Sequence, residues 1–158
     1  MARPVKDGLD YFPMDCIPDR ALDLLQAKHG LESFGMVIKL WMSIFREGWY
    51  VEWDIDTILF FCSSNSISVE RFDRILTDAL ERGIFCRWLY EKYSVLTSQD
   101  IQRRYFSASI RRKRIRVCEE YLLIDPAEFG FVRDDADTEL YIKMGKTPDS
   151  GDVYDGTN

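Results

Sequence analysis

The chain has 158 residues, enough for one domain with its own core, and its 46% apolar and 30% charged residues fit a folded, water-soluble protein. No apolar run approaches the roughly 20 residues that span a bilayer, and the opening MARPVKDGLDYFP lacks a signal-peptide apolar region, so a cytoplasmic protein is expected. The net charge of −6 is unevenly spread: residues 1–118 hold 18 Lys and Arg against 16 Asp and Glu, and residues 119–158 hold 3 against 11, so the overall acidity does not exclude nucleic acid as a partner of the first part.

Residues 1–15 carry Pro4, Gly8 and Pro13, which disfavour a helix, and read as an N-terminal arm that Leu9, Tyr11 and Phe12 pin to the domain. Residues 19–29 predict a short helix with Asp19 at its start, Leu22 and Leu25 inward, and Gly30 at its end. Residues 31–47 predict the most apolar helix, with a stripe of Phe34, Val37, Ile38, Trp41, Ile44 and Phe45. Met36, Leu40 and Met42 widen that stripe. A helix packed on several sides explains this, and a self-association surface through Met36, Leu40 and Trp41 is the sharper alternative.

After Gly48, Trp49–Trp53 reads as a short strand. Asp54 caps a helix over 55–62 with Ile55, Ile58, Leu59 and Phe61 or Cys62 inward. A polar turn at 63–67 leads into a helix over 68–82, capped by Ser68, with Phe72, Ile75, Leu76, Ala79 and Leu80 on one face and Gly83 at its end. Residues 84–97, IFCRWLYEKYSVLT, are rich in aromatic and β-branched residues and predict a β-hairpin. Residues 98–118 predict a helix that begins amphipathic and becomes basic on every side beyond Ile110. Residues 119–158 read as an acidic, partly disordered tail, with the composition of disorder from about Thr147.

Two helices, a polar turn and a hairpin give the expected fold class: mainly α with a small β-sheet, a winged helix-turn-helix with an extended basic C-terminal helix. Its domain is expected over 1–118, with the arm at 1–15 and the basic helix at 98–118.

The residues also resemble a known family. MARPVKDGLDYFPMD at 1–15, Gly30 and Gly35, Phe45-Arg46-Glu47-Gly48, Trp53-Asp54, Leu89-Tyr90-Glu91-Lys92-Tyr93, Val95-Leu96-Thr97-Ser98 and Ile101-Gln102-Arg103-Arg104-Tyr105 look like the N-terminal domain of phage and prophage replication proteins of low-GC Gram-positive bacteria. This listerial-type domain is similar to the N-terminal domain of DnaD and of phage replisome organisers, and the resemblance covers roughly residues 1–115. It implies a self-associating winged helix that takes part in replication initiation, remodelling origin DNA and bringing helicase-loading or other host replication-initiation proteins to it. Relatives usually carry a second, DnaD-type C-terminal domain. The Tyr-x-x-x-Ile-x-x-x-Trp segment expected there is not found in this chain.

The helix at 68–82 is a poor base reader. Its predicted outer face holds Glu70, Asp73, Asp78 and Glu81 against Arg71 and Arg74, and acids near phosphates are repelled. The basic segment is the better candidate. Arg103, Arg104, Arg111, Arg112, Lys113, Arg114 and Arg116 lie between Ile101 and Cys118 without an acid, a pattern that binds phosphates regardless of sequence. Arg87 and Lys92 of the expected wing, with Arg71 and Arg74, complete the candidate nucleic-acid contacts. Tyr105 belongs to the core by periodicity, and Phe106 is placed either to join it or to stack on bases.

Cys16, Cys62, Cys86 and Cys118 lack paired spacing and His29 is the sole histidine, so reduced thiols are expected and no metal site. Without a phosphate-binding loop or a persuasive nucleophile–base pair, neither a cofactor nor catalysis is expected. The reading is a replication-initiation protein that binds duplex or single-stranded DNA nonspecifically and forms homo-oligomers. The alternative is a winged-helix interaction module that binds a host replication or defence protein without touching DNA.

Overall fold

Glycines and short polar caps divide the N-terminal half into helices. In the computed structural model, which describes residues 7–144, these are α1 (Arg20–His29), α2 (Leu31–Glu47), α3 (Ile55–Ser64) and α4 (Val69–Glu81). The Asp54 carboxylate accepts from the Thr57 amide at 2.8 Å, and Ser68 Oγ accepts from the Arg71 amide at 3.2 Å, so two predicted caps are in place. The Asp19 side chain makes no such bond, and only its carbonyl serves α1. The α4 stripe is buried as predicted at Phe72, Ile75, Leu76 and Ala79. On α2 the buried line runs through Ser33, Met36, Val37, Leu40 and Ile44, with Phe45 beside it. Phe34, Ile38 and Trp41 sit only half-buried at its flank.

Three predicted elements differ. The segment predicted as a hairpin holds a helix, α5 (Arg87–Tyr93), followed by strand β2 (Val95–Leu96). An Arg87–Glu91 pair one turn apart and buried Leu89 favour the helix, and Ser94, in the left-handed region at φ 54°, stops it. Strand β2 pairs antiparallel with β1 (Val51–Glu52), Val51 opposite Leu96, as the expected strand at 49–53 requires.

The second difference is the basic helix. Helix α6 (Gln99–Ala108) ends at Ser109, and the chain re-forms as strand β3 (Arg114–Arg116). Alternation decides it: Arg114 and Arg116 face outward while Ile115 and Val117 are buried, an arrangement a helix cannot give. The third is the acidic C-terminal segment. It is folded as far as β4 (Phe131–Arg133) and β5 (Leu140–Lys143), with β5 central in an antiparallel sheet of order β3-β5-β4. Ile124, Phe131 and Tyr141 from this segment lie in the same core as α2 and α4. The disorder expected from Thr147 falls outside the described residues.

Phe106 shows how the halves join. Its ring is fully buried, 6.0 Å from Trp49, 5.9 Å from Phe129 and 6.3 Å from Phe131, so truncating it would cost about 3–5 kcal/mol. The family-like motif at 95–102 is structural. Thr97 donates to the Trp49 carbonyl at 2.5 Å. Buried Gln102 donates to the Tyr121 carbonyl and accepts from the Leu123 amide, each at 2.8 Å.

The arm is equally structural. Leu9 N–H donates to the Phe45 carbonyl at 2.7 Å, and Phe12 stacks on Phe45 at 4.6 Å. Gly8 is pressed so closely on α2 that a Cβ would stand 1.8 Å from the Arg46 carbonyl oxygen, so no other residue fits. Gly48, with φ 151°, lets the chain leave α2 beside it.

Candidate nucleic-acid interface

The tight turn between α6 and β3 concentrates the basic residues. Ser109 N–H closes on the Tyr105 carbonyl at 2.9 Å, Arg112 N–H on the Ser109 carbonyl at 2.8 Å, and β3 then holds Arg114 opposite Ile142. Four of the seven candidate cations in this region are already engaged. Arg103 pairs with Glu128 at 3.0 Å. Arg104 pairs with Asp100 at 2.8 Å and Asp15 at 2.7 Å. Arg116 lies 3.5 Å from Asp7 and 3.7 Å from Glu139. Arg112 is a strut: its guanidinium donates to the carbonyls of Asp7 at 3.0 Å and Gly8 at 2.7 Å and to the Tyr105 hydroxyl at 3.3 Å. Arg111, Lys113 and Arg114 are exposed and make no ion pair among the described residues.

The remaining candidates lie elsewhere. Arg87 and Lys92 sit on α5 and not on a wing. Arg87 holds Glu91 at 2.7 Å, and Lys92 covers the rings of Trp88 and Tyr93, 5.0 Å from each centroid. Arg71 braces α4 to the α1–α2 junction through Glu32 and the His29 carbonyl. Arg74 is exposed. Tyr105 and Phe106 are fully buried, with the Tyr105 hydroxyl donating to the Asp7 carbonyl at 2.7 Å, so neither is placed to stack on a base. Burial holds the Tyr105 phenol above its ordinary pKa, outweighing nearby Arg112.

Met36 and Leu40, read from sequence as self-association residues, are 5% and 0% exposed within the chain's own core, and Trp41 is half-buried. Three exposed apolar side chains lie together on the next helix, α3. Ile55 is 75% exposed, Leu59 50% and Phe60 77%, where Ile55 and Leu59 were expected inward. Phe60 and Met42 line one groove of about 520 Å³ between α3 and α2.

Asp78, placed outside by periodicity, is 6% exposed. It accepts from His29 at 2.8 Å and Arg82 at 3.0 Å, with Lys28 at 3.3 Å. Burial opposes its ionisation, but the hydrogen bonds from His29, Lys28 and Arg82 prevail and hold its carboxyl below the usual carboxylate range. Sequence reasoning missed it because two of its partners, His29 and Lys28, come from α1. Among the described residues no group of three or more His, Cys, Asp or Glu could hold a metal ion, and no helix is long and apolar enough to cross a membrane. Cys16 is exposed, Cys62 buried, and all four thiols are free.

Comparison with known proteins places these residues in context. The family described as Lin1244/Lin1753-like, N-terminal, matches residues 11–101. A protein described as the uncharacterized phage-related protein Lin1244/Lin1753 of Listeria innocua serovar 6a is 35% identical over 130 residues. That alignment covers 81% of this chain but 43% of the relative, so the chain spans less than half the length of the protein it matches. No solved structure matches significantly.

Proposed function

The chain belongs to the Lin1244/Lin1753-like N-terminal family, and on that premise we propose that it serves phage or prophage DNA replication initiation by holding DNA through phosphate contacts, without reading sequence. The observation that carries this is the turn itself: three exposed cations, Arg111, Lys113 and Arg114, within four consecutive residues and without an ion pair among the described residues. Base reading finds no support on α4. Of the charged side chains there, Glu70, Asp73, Arg74 and Glu81 remain exposed, three acids against one arginine. The phage assignment leans on the phage-related relative. The order α2, β1, α3, α4, β2 follows that of a winged helix-turn-helix, with α5 standing where the first wing strand would begin. Self-association would use the exposed apolar residues of α3, since Met36 and Leu40 are buried in the chain's own core.

Fluorescence anisotropy on labelled duplex and single-stranded DNA tests the proposal. Binding that weakens with salt and is lost when Arg111, Lys113 and Arg114 become alanine supports it. No binding at low salt refutes it and leaves the second reading, an interaction module for a host replication or defence protein. That reading is favoured by the mixed charge of α4.

A further inference from the structure

Away from the basic turn, four aromatic rings form a continuous ridge. Trp88, 54% exposed on α5, meets Tyr93 edge-on at 6.0 Å. Tyr93 meets Tyr121 at 5.2 Å, and Tyr121 meets Tyr50 at 4.9 Å. The three tyrosines are half-buried, and none of their hydroxyls bonds to a described residue. Beside them stand Glu52 and Glu120, exposed and without an ion pair among the described residues. Both carboxylates act on Tyr121, and Glu52 also acts on Tyr50. With burial the larger cause, both phenols are held above their ordinary pKa.

Electron-rich rings beside unpaired carboxylates attract cations and repel phosphate. The ridge already holds one cation in this way, since the Lys92 ammonium lies over both Trp88 and Tyr93. The ring spacing suits an extended chain: along a strand-like segment alternate side chains share one face about 6.6 Å apart, close to the 4.9–6.0 Å that separates successive rings. We propose that the ridge of Trp88, Tyr93, Tyr121 and Tyr50, flanked by Glu52 and Glu120, docks an extended, arginine- or lysine-bearing segment of a partner protein. None of these residues belongs to the basic turn, so the inference stands or falls apart from the DNA reading.

The test is anisotropy of the full chain with a fluorescein-labelled peptide of alternating proline and arginine, beside the same peptide with glutamine for arginine and a labelled oligothymidylate. Saturable binding of the arginine peptide is expected. It should weaken about fivefold in the Glu52→Gln, Glu120→Gln double variant and to a similar extent in Trp88→Ala. All three positions are exposed, and circular dichroism verifies that the fold is retained. Binding should be unchanged when Arg111, Lys113 and Arg114 become alanine. No saturable binding overturns the proposal, as does a double variant that binds like the parent. Tighter binding of oligothymidylate, lost in Trp88→Ala, also overturns it and makes the ridge a base-stacking surface.

Discussion

Replacing Arg111, Lys113 and Arg114 together by alanine separates two ways in which this chain would hold DNA. If all seven cations of residues 101–118 touched phosphate, log K against log salt would fall with a slope of about −6.3, an affinity loss of about six-thousandfold between roughly 50 and 200 mM salt. The structure commits Arg103, Arg104 and Arg116 to carboxylates and Arg112 to the arm, which leaves three. The expected slope is then about −2.7 on duplex DNA, a loss of about fortyfold over the same range. A slope near −4.5 would mean that Arg103 and Arg116, whose pairs are solvent-exposed and weak, exchange their carboxylates for phosphates. The assay is an anisotropy titration of a labelled duplex at several salt concentrations, on parent and triple variant. If the variant binds as tightly as the parent, with the same slope, the turn is not the contact and the reasoning fails.

Asp78→Asn should destabilise the fold by about 1.5–3 kcal/mol in urea melts near neutral pH, because it removes a buried carboxylate that accepts from charged donors. The Asp78 pKa is lowered on folding, so its contribution is present above the unfolded-state value of about 3.9 and is lost as pH falls through the folded value. The variant should therefore show a shallower loss of stability below about pH 4. Gly8→Ala should release the arm, since its Cβ meets backbone that cannot move away. A loss of about 1–3 kcal/mol and faster proteolysis before residue 16 are expected, and a parent-like melt would contradict the packing. Phe60→Asp should leave stability within about 0.5 kcal/mol yet abolish self-association in light scattering. A parent that is strictly monomeric at high concentration removes that expectation altogether.

The elements that were legible in the sequence are those whose signals are local. Ser68 with the 72-75-76-79 stripe, and Asp54 with Thr57, carry their cap and face within one helix. The segment 84–97 misled because its aromatic content suits a strand, whereas Leu89 finds its burial as part of a helical turn. At 111–117 the run of charge masked a two-residue alternation, Arg114-Ile115-Arg116-Val117, that was present all along. The weak patterning between residues 119 and 146 hid two strands and read as part of an acidic, partly disordered tail outside the domain, because β5 is held by pairing with β3 and β4, a relation no local pattern shows. The candidate site shifted for the same reason. Which arginines are committed depends on Asp7, Asp15 and Glu128, and no spacing rule connects these to the basic run.

The two ends of the described chain are fastened to adjacent residues. Arg112 holds the Asp7 carbonyl at 3.0 Å, and the Lys113 carbonyl accepts from Lys143 N–H at 3.0 Å. Any polypeptide fused before the arm or after β5 is therefore tethered beside the turn and shares its neighbourhood at high effective concentration. Three phosphate contacts of the kind proposed would make a feeble grip on their own. Joined to a DNA-binding module at either end, such a grip would multiply the affinity of the whole through avidity, without one new contact.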